Sequence, residues 1–279
     1  MRKINKPTFS VKDVLTDCID NVSNKKLKDA LLNALDTIED AERDFDLKKI
    51  SNELSLIPQH IAVNAIVNES TLKSIYTDRM VNKQNKGRVH YDNIFLSAPN
   101  GICPLCSQRI VATLDHYLPK SLYPILSVSP LNLIPACFDC NKGKLIDYPS
   151  NSMEETLHPY YDNVDDFVWL KMRIIQAKPF LMEYFVNPPQ NIPQLLKDRI
   201  QNHFDGFNLN RLFIVHASEE FANIKRQLMN LHNTGGEANL REHLHECFDS
   251  RFSVNKNSWQ TAFYGELFNN IDFCSGSFI

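Results

Sequence analysis

Apolar residues recur three and four apart along the first stretch of the chain. Val11, Val14, Leu15, Cys18 and Val22 keep one helical period, and Leu27, Leu31, Ala34, Leu35 and Ile38 keep it again. Leu72, Ile75, Tyr76 and Met80 form a third stripe, with Ser70 placed to cap its start. Such stripes are first of all core faces. The period returns after Pro193, where Phe221, Ile224, Leu228 and Leu231 share a face until Gly235-Gly236 breaks the pattern. Leu240, Leu244, Cys247 and Phe248 follow, then Trp259, Ala262, Phe263 and Leu267. Residues 167–175 and 180–186 are different: aromatic and branched side chains at strand length, separated by Lys178-Pro179, predict a β-hairpin that Pro188-Pro189 ends.

Between about residues 91 and 161 the long periods vanish. This block carries four of the seven cysteines and eight of the fourteen prolines. A segment like that cannot build a large apolar core alone and needs a staple, a metal or its neighbours. The expectation is an α+β chain in three parts: a helical region over 1–90, a stapled central core over 91–162, and a β-hairpin followed by helices over 163–279. No internal repeat or low-complexity tract interrupts this order.

Composition narrows the function classes. The 279 residues are 43% hydrophobic and 23% charged, as in an ordinary globular chain. No apolar run approaches the ~18 residues of a membrane span, and the start has no signal-peptide core, so a soluble cytoplasmic protein is expected. A net charge of -3 argues against a uniformly basic, histone-like binder, but phosphate contacts need only a local basic patch. Cysteines without secretory context point to metal or thiol chemistry.

Cys103-Pro-Leu-Cys106 and Cys137-Phe-Asp-Cys140 are two CxxC knuckles. Each lets two thiolates reach one ion, and the two pairs complete a closed, tetrahedral, structural zinc site. The gap of 30 residues between them exceeds the usual zinc-ribbon spacing, so something the size of a hairpin must be held between the knuckles. Cys18 and Cys247 lie on apolar helical faces and read as core, and Cys274 has no partner spacing.

The chemistry sits in that gap. Leu114-Asp115-His116-Tyr117-Leu118-Pro119-Lys120 is followed by Asn132 and then by Cys140-Asn141-Lys142-Gly143-Lys144. Phosphodiester hydrolysis needs a base for water, and His is the side chain nearest neutrality. It also needs a hard divalent ion, which carboxylate and amide oxygens suit, and a group to fix the imidazole tautomer. Asp115, His116, Asn132 and Asn141 supply these types.

Residues 103–144, reading CxxC, DHxxP, N, CxxCNxxK, resemble an HNH (ββα-metal) endonuclease motif of the zinc-knuckled subtype. The resemblance implies roles. His116 would be the general base, Asp115 and Asn141 the ligands of a catalytic Mg²⁺ or Mn²⁺, and Asn132 the group that orients the imidazole through a backbone or side-chain contact. Two strands would carry Asp115-His116 and Leu133-Ile134, with a short helix from about Asp139. The third motif letter is Asn141 and not His, a substitution common in the family that keeps a hard oxygen donor. The match covers 42 of the 279 residues.

Lys120, Lys142 and Lys144 flank the motif and would face phosphates, although any surface lysine can be merely solvated. His158, 18 residues past Cys140, would line the site or contact phosphate, or else be packed. Arg79, Lys83, Lys86, Arg88 and His90 form either a basic approach strip or a solvated linker. Zinc-knuckled HNH proteins of this size resemble effectors of bacterial anti-phage systems of the Septu and retron-linked type. That analogy implies a cytoplasmic bacterial nuclease acting on DNA, with a partner ATPase and a possible homo-oligomer through its helical flanks. Two alternatives stay open: the same site cleaving RNA such as tRNA, and a catalytically silent zinc-ribbon adaptor.

Overall fold

The computed structural model of the chain describes residues 1–143 and 150–279. It is α+β, helices with two small antiparallel sheets, and divides into one unit over Met1–Asp162 and a second over Asn163–Ile279. No helix among the described residues is long and apolar enough to cross a membrane.

The first unit opens with α1 (Val11–Ile19), started by a reciprocal cap. The Ser10 hydroxyl accepts from the Asp13 amide, and the Asp13 carboxylate accepts from the Ser10 amide at 2.8 Å. The second sequence stripe is two helices, α2 (Lys25–Leu32) and α3 (Leu35–Ser51), because Asn33 and Ala34 close the first and open the next. The inner stripe of α3 is Ile38, Glu42, Phe45 and Lys49, all buried, two of them charged.

The third stripe begins earlier than expected. Asn68, not Ser70, caps α4 (Glu69–Ser74), its side chain accepting from the Thr71 amide at 3.0 Å. The helix then widens into a π-helical turn over Ile75–Met80. After α5 (Arg88–Leu96) come β1 (Thr113–His116) and β2 (Leu133–Ala136), antiparallel with Asp115 opposite Ile134 and His116 opposite Leu133. A short helix, α6 (Phe138–Gly143), follows and packs against β1.

The second unit is built on the hairpin β3 (Leu170–Gln176) and β4 (Leu181–Val186). Phe167 to Trp169 lie outside it, because Asn257 takes over their backbone. Its side chain accepts from the Trp169 amide at 2.8 Å and the Leu170 amide at 3.2 Å, and donates to the Val164 and Phe167 carbonyls. Helices α7 (Gln194–Gly206), α8 (Leu209–Phe252), α9 (Trp259–Asn269) and α10 (Ile271–Cys274) complete the unit. Helix α8 is two arms broken at Gly236, whose φ of 68° and ψ of -163° are open to glycine. A Cβ on Gly235 would fall 2.5 Å from the Asn239 side chain, which donates to the Leu231 carbonyl across the break. Phe248 of the second arm meets Phe268 of α9 with ring centroids 5.1 Å apart, and Leu240, Leu244 and Phe263 are buried.

Candidate functional site

The four knuckle cysteines converge. Their sulfurs lie within 4.8 Å of one another, all buried, and this is the one cluster of three or more metal-ligating His, Cys, Asp or Glu side chains among the described residues. Tight turns bring each pair together: the Arg109 amide donates to Cys106 Sγ and the Cys140 amide to Cys137 Sγ, both at 3.4 Å. Arg109 and Asp139 then bridge the knuckles by an ion pair of 2.8 Å. Hydrogen bonds from its neighbours pull the Cys106 thiol down, while the other sulfurs push Cys103 and Cys140 up. Four thiolates can coexist here only around a cation, and the donor set suits a tetrahedral structural metal such as zinc.

The knuckles clamp β1 and β2 at one end, and Asp115 and His116 sit on β1, Asp115 buried and His116 half-buried. The imidazole is fixed from two sides. Nε2 lies 2.8 Å from the carbonyl oxygen of Ser127, and the ring meets Tyr76 edge-on with centroids 4.5 Å apart. An imidazole that donates from Nε2 carries its basic lone pair on Nδ1. Ser127 is itself anchored, its hydroxyl donating to the Leu72 carbonyl of α4 at 2.7 Å.

Asn132 does not orient the imidazole directly. Fully buried in the turn before β2, its side chain accepts from the Leu118 amide at 2.7 Å and donates to the Leu118 and Leu126 carbonyls, while its own carbonyl accepts from the Tyr117 amide. It closes the loop between the strands, and that loop delivers Ser127. A second anchor comes from α3, where Glu42 accepts from the Val11 amide and, through a short contact, from the Ser129 hydroxyl. Burial raises the Glu42 carboxyl above its ordinary value against the pull of those hydrogen bonds.

Asn141 lies on α6, half-buried, its amide bonded to the Cys137 carbonyl. The structure thus sets Asp115 and Asn141 on two packed elements. Lys120 stands with its ammonium 4.7 Å from the Tyr76 ring centroid. Lys142 is exposed on α6. Lys144 lies outside the described residues.

His158 is placed in the core, which corrects the expectation of a phosphate contact. It is fully buried among Phe45, Tyr117, Tyr160 and Tyr161, with Nδ1 accepting from the Tyr160 amide. Beside it runs a buried ion pair, Lys49 to Glu155 at 2.8 Å, with Asp162 at 3.8 Å. The basic strip is also dispersed: Lys86 pairs with Asp20, Arg88 with Asp92, and His90 with Asp17, each at 2.8 Å.

Sequence reasoning missed Ser127 and Tyr76. Ser127 acts through its carbonyl, which any residue would supply. Tyr76 sits in an apolar stripe and reads as core, which it also is, being 6% exposed.

Among known proteins, the chain is 24% identical over 239 residues to Protein ea31 of Escherichia phage lambda, a match spanning 81% of this chain and 80% of that protein. No family model matches the chain, and no solved structure does.

Proposed function

We propose that the chain is a metal-dependent endonuclease of the HNH type that hydrolyses phosphodiester bonds, DNA first among its substrates, with zinc in the four-cysteine cluster. The observation that carries this reading is the state of His116. It lies beside a buried carboxylate on a strand clamped by the knuckles, with one ring nitrogen tied to a backbone carbonyl, the arrangement a general base requires.

In this mechanism His116 Nδ1 accepts a proton from water. The hydroxide oxygen forms a bond to phosphorus while the bond from phosphorus to the leaving oxygen breaks, and that oxygen takes a proton from solvent. Asp115 and Asn141 are the oxygen donors that would hold Mg²⁺ or Mn²⁺, since β1 and α6 pack together. When bound, the ion neutralises charge on the phosphate and the leaving oxygen. The Ser127 carbonyl stabilises the imidazolium that forms, and Asn132 keeps that carbonyl in place.

The resemblance further supports an effector acting with a partner ATPase, and a relative encoded by a bacteriophage supports a setting in the contest between phage and host. The test is cleavage of supercoiled plasmid, single-stranded DNA and total tRNA with Mg²⁺, Mn²⁺ or chelator, against His116→Ala. Loss of the base should slow metal-dependent cutting by about 10²- to 10⁴-fold and leave the zinc content unchanged. Preference for tRNA would move the reading to RNA. Cutting that His116→Ala leaves intact would remove His116 from the chemistry.

A further inference from the structure

Tyr76 does more than fill the core. Its ring meets His116 in a T-shaped contact at 4.5 Å between centroids, and the Lys120 ammonium lies over the same ring at 4.7 Å. Lys73 precedes Tyr76 by three positions, in α4, and lies close enough to Lys120 for its charge to act on that ammonium. The backbone that presents the ring is the π-helical turn over Ile75–Met80, a geometry rare enough to be concentrated at functional sites.

The two ammonium groups raise a question of charge. Among the described residues Lys120 has no carboxylate at ion-pair distance, and Lys73 reaches Glu69 only at 3.9 Å. Burial first, and the charge of Lys73 second, pull the Lys120 ammonium below its ordinary value. Like charges brought together and partly desolvated oppose folding unless something anionic answers them. Burial also keeps the Tyr76 hydroxyl protonated by raising it above its ordinary range, so the ring enters as a neutral platform and not as a charged group.

We propose that Lys120, held beside His116 by the ring of Tyr76, and Lys73 near it form the seat for the phosphate next to the scissile one in a nucleic-acid backbone. This rests on the nuclease reading for its position in the reaction but not for its chemistry. Tyr76 is then a positioning residue. It fixes one distance between the base and the cation that locates the strand, so that a seated backbone presents its neighbouring phosphodiester to His116.

The test measures binding apart from cutting. In a His116→Ala background with Mg²⁺, fluorescent 30-base duplex DNA, single-stranded DNA and RNA are titrated at several salt concentrations. Lys73→Gln and Lys120→Gln should each lower the slope of log Kd against log salt by about 0.9 on duplex, or about 0.7 on single strands. Tyr76→Leu should lose the Lys120 contribution and, in the cleaving protein, reduce kcat more than KM. Tyr76→Phe, which keeps the ring, should restore both. The lysine variants alter half-exposed side chains, so they report even if Tyr76→Leu fails to fold. An unchanged salt slope in both lysine variants overturns the seat, as does a parent that binds none of the three probes. Lysine-dependent binding by a parent that never cuts would support the seat while overturning the nuclease reading.

Discussion

A few side chains in this protein organise far more backbone than their size suggests. Asn257, 4% exposed, satisfies two amides and two carbonyls around Trp169. Asn257→Ala strands buried polar groups that each cost ~1–3 kcal/mol when unpaired, so the second unit should lose roughly 3 kcal/mol or more, read as a lower urea midpoint by Trp fluorescence. Asp46 offers a smaller, pH-dependent test. Burial opposes its ionisation, but hydrogen bonds from Lys6 and Tyr161 outweigh it and hold the carboxyl below the ordinary 3.8. A depressed value stabilises the fold above the unfolded pKa, and the contribution is lost as pH falls through the folded one. Asp46→Asn should therefore be less stable than the parent at pH ~7, by no more than about 1 kcal/mol because the pair is a third exposed. The two urea midpoints should converge as pH falls through the lowered range of the folded Asp46 carboxyl, and a constant gap would contradict the assignment. These residues were hardly legible beforehand. An asparagine reads as loop until its partners are seen, and the Ser127 carbonyl leaves no mark in a side-chain pattern.

At the scale of elements, legibility follows burial. The strands around Asp115 and Leu133 are expected only from the motif's resemblance, while the knuckles and the second-unit hairpin are readable, because cysteine spacing and strand-length apolar runs are local signals. The helix joints are not. Asn33-Ala34 fits the same 3.6-residue period on both sides, so the break between α2 and α3 is silent, and Asn68 caps as well as Ser70 on sequence grounds. Extending the α3 stripe would have shown Glu42 and Lys49 at core positions, a charge pattern that marks buried pairing. Replacing Lys49 by Met should cost about 3–5 kcal/mol, since it breaks the buried pair with Glu155; thermal denaturation of the full chain measures it. Cys137→Ser tests the staple. Structural zinc binding is worth ~10–16 kcal/mol in small zinc peptides, so this variant should purify without zinc and without a cooperative transition in the first unit, where the parent should carry about one zinc per chain. A soluble, zinc-free and fully folded Cys137→Ser would show that the cluster is not a metal staple.

For the molecule as a whole, the chain divides between Asp162 and Asn163. The three-part reading of the sequence put the helices before residue 91 apart from the central core. In the structure α3 and α4 reach into that core through Glu42 and the Leu72 carbonyl, long-range contacts that no periodicity announces. The second unit holds its own aromatic core and none of the knuckle cysteines, so residues 163–279 expressed alone should show a cooperative thermal transition indifferent to zinc and chelator. A fragment that stays unfolded would mean its core is not sufficient.

The thiols also make the fold countable. Six of the seven cysteines are buried, and Cys247 alone is half-exposed. A maleimide probe should therefore tag one sulfur per native molecule, and mass spectrometry would register each further tag as a step in the opening of the chain, giving every variant above a common stoichiometric clock.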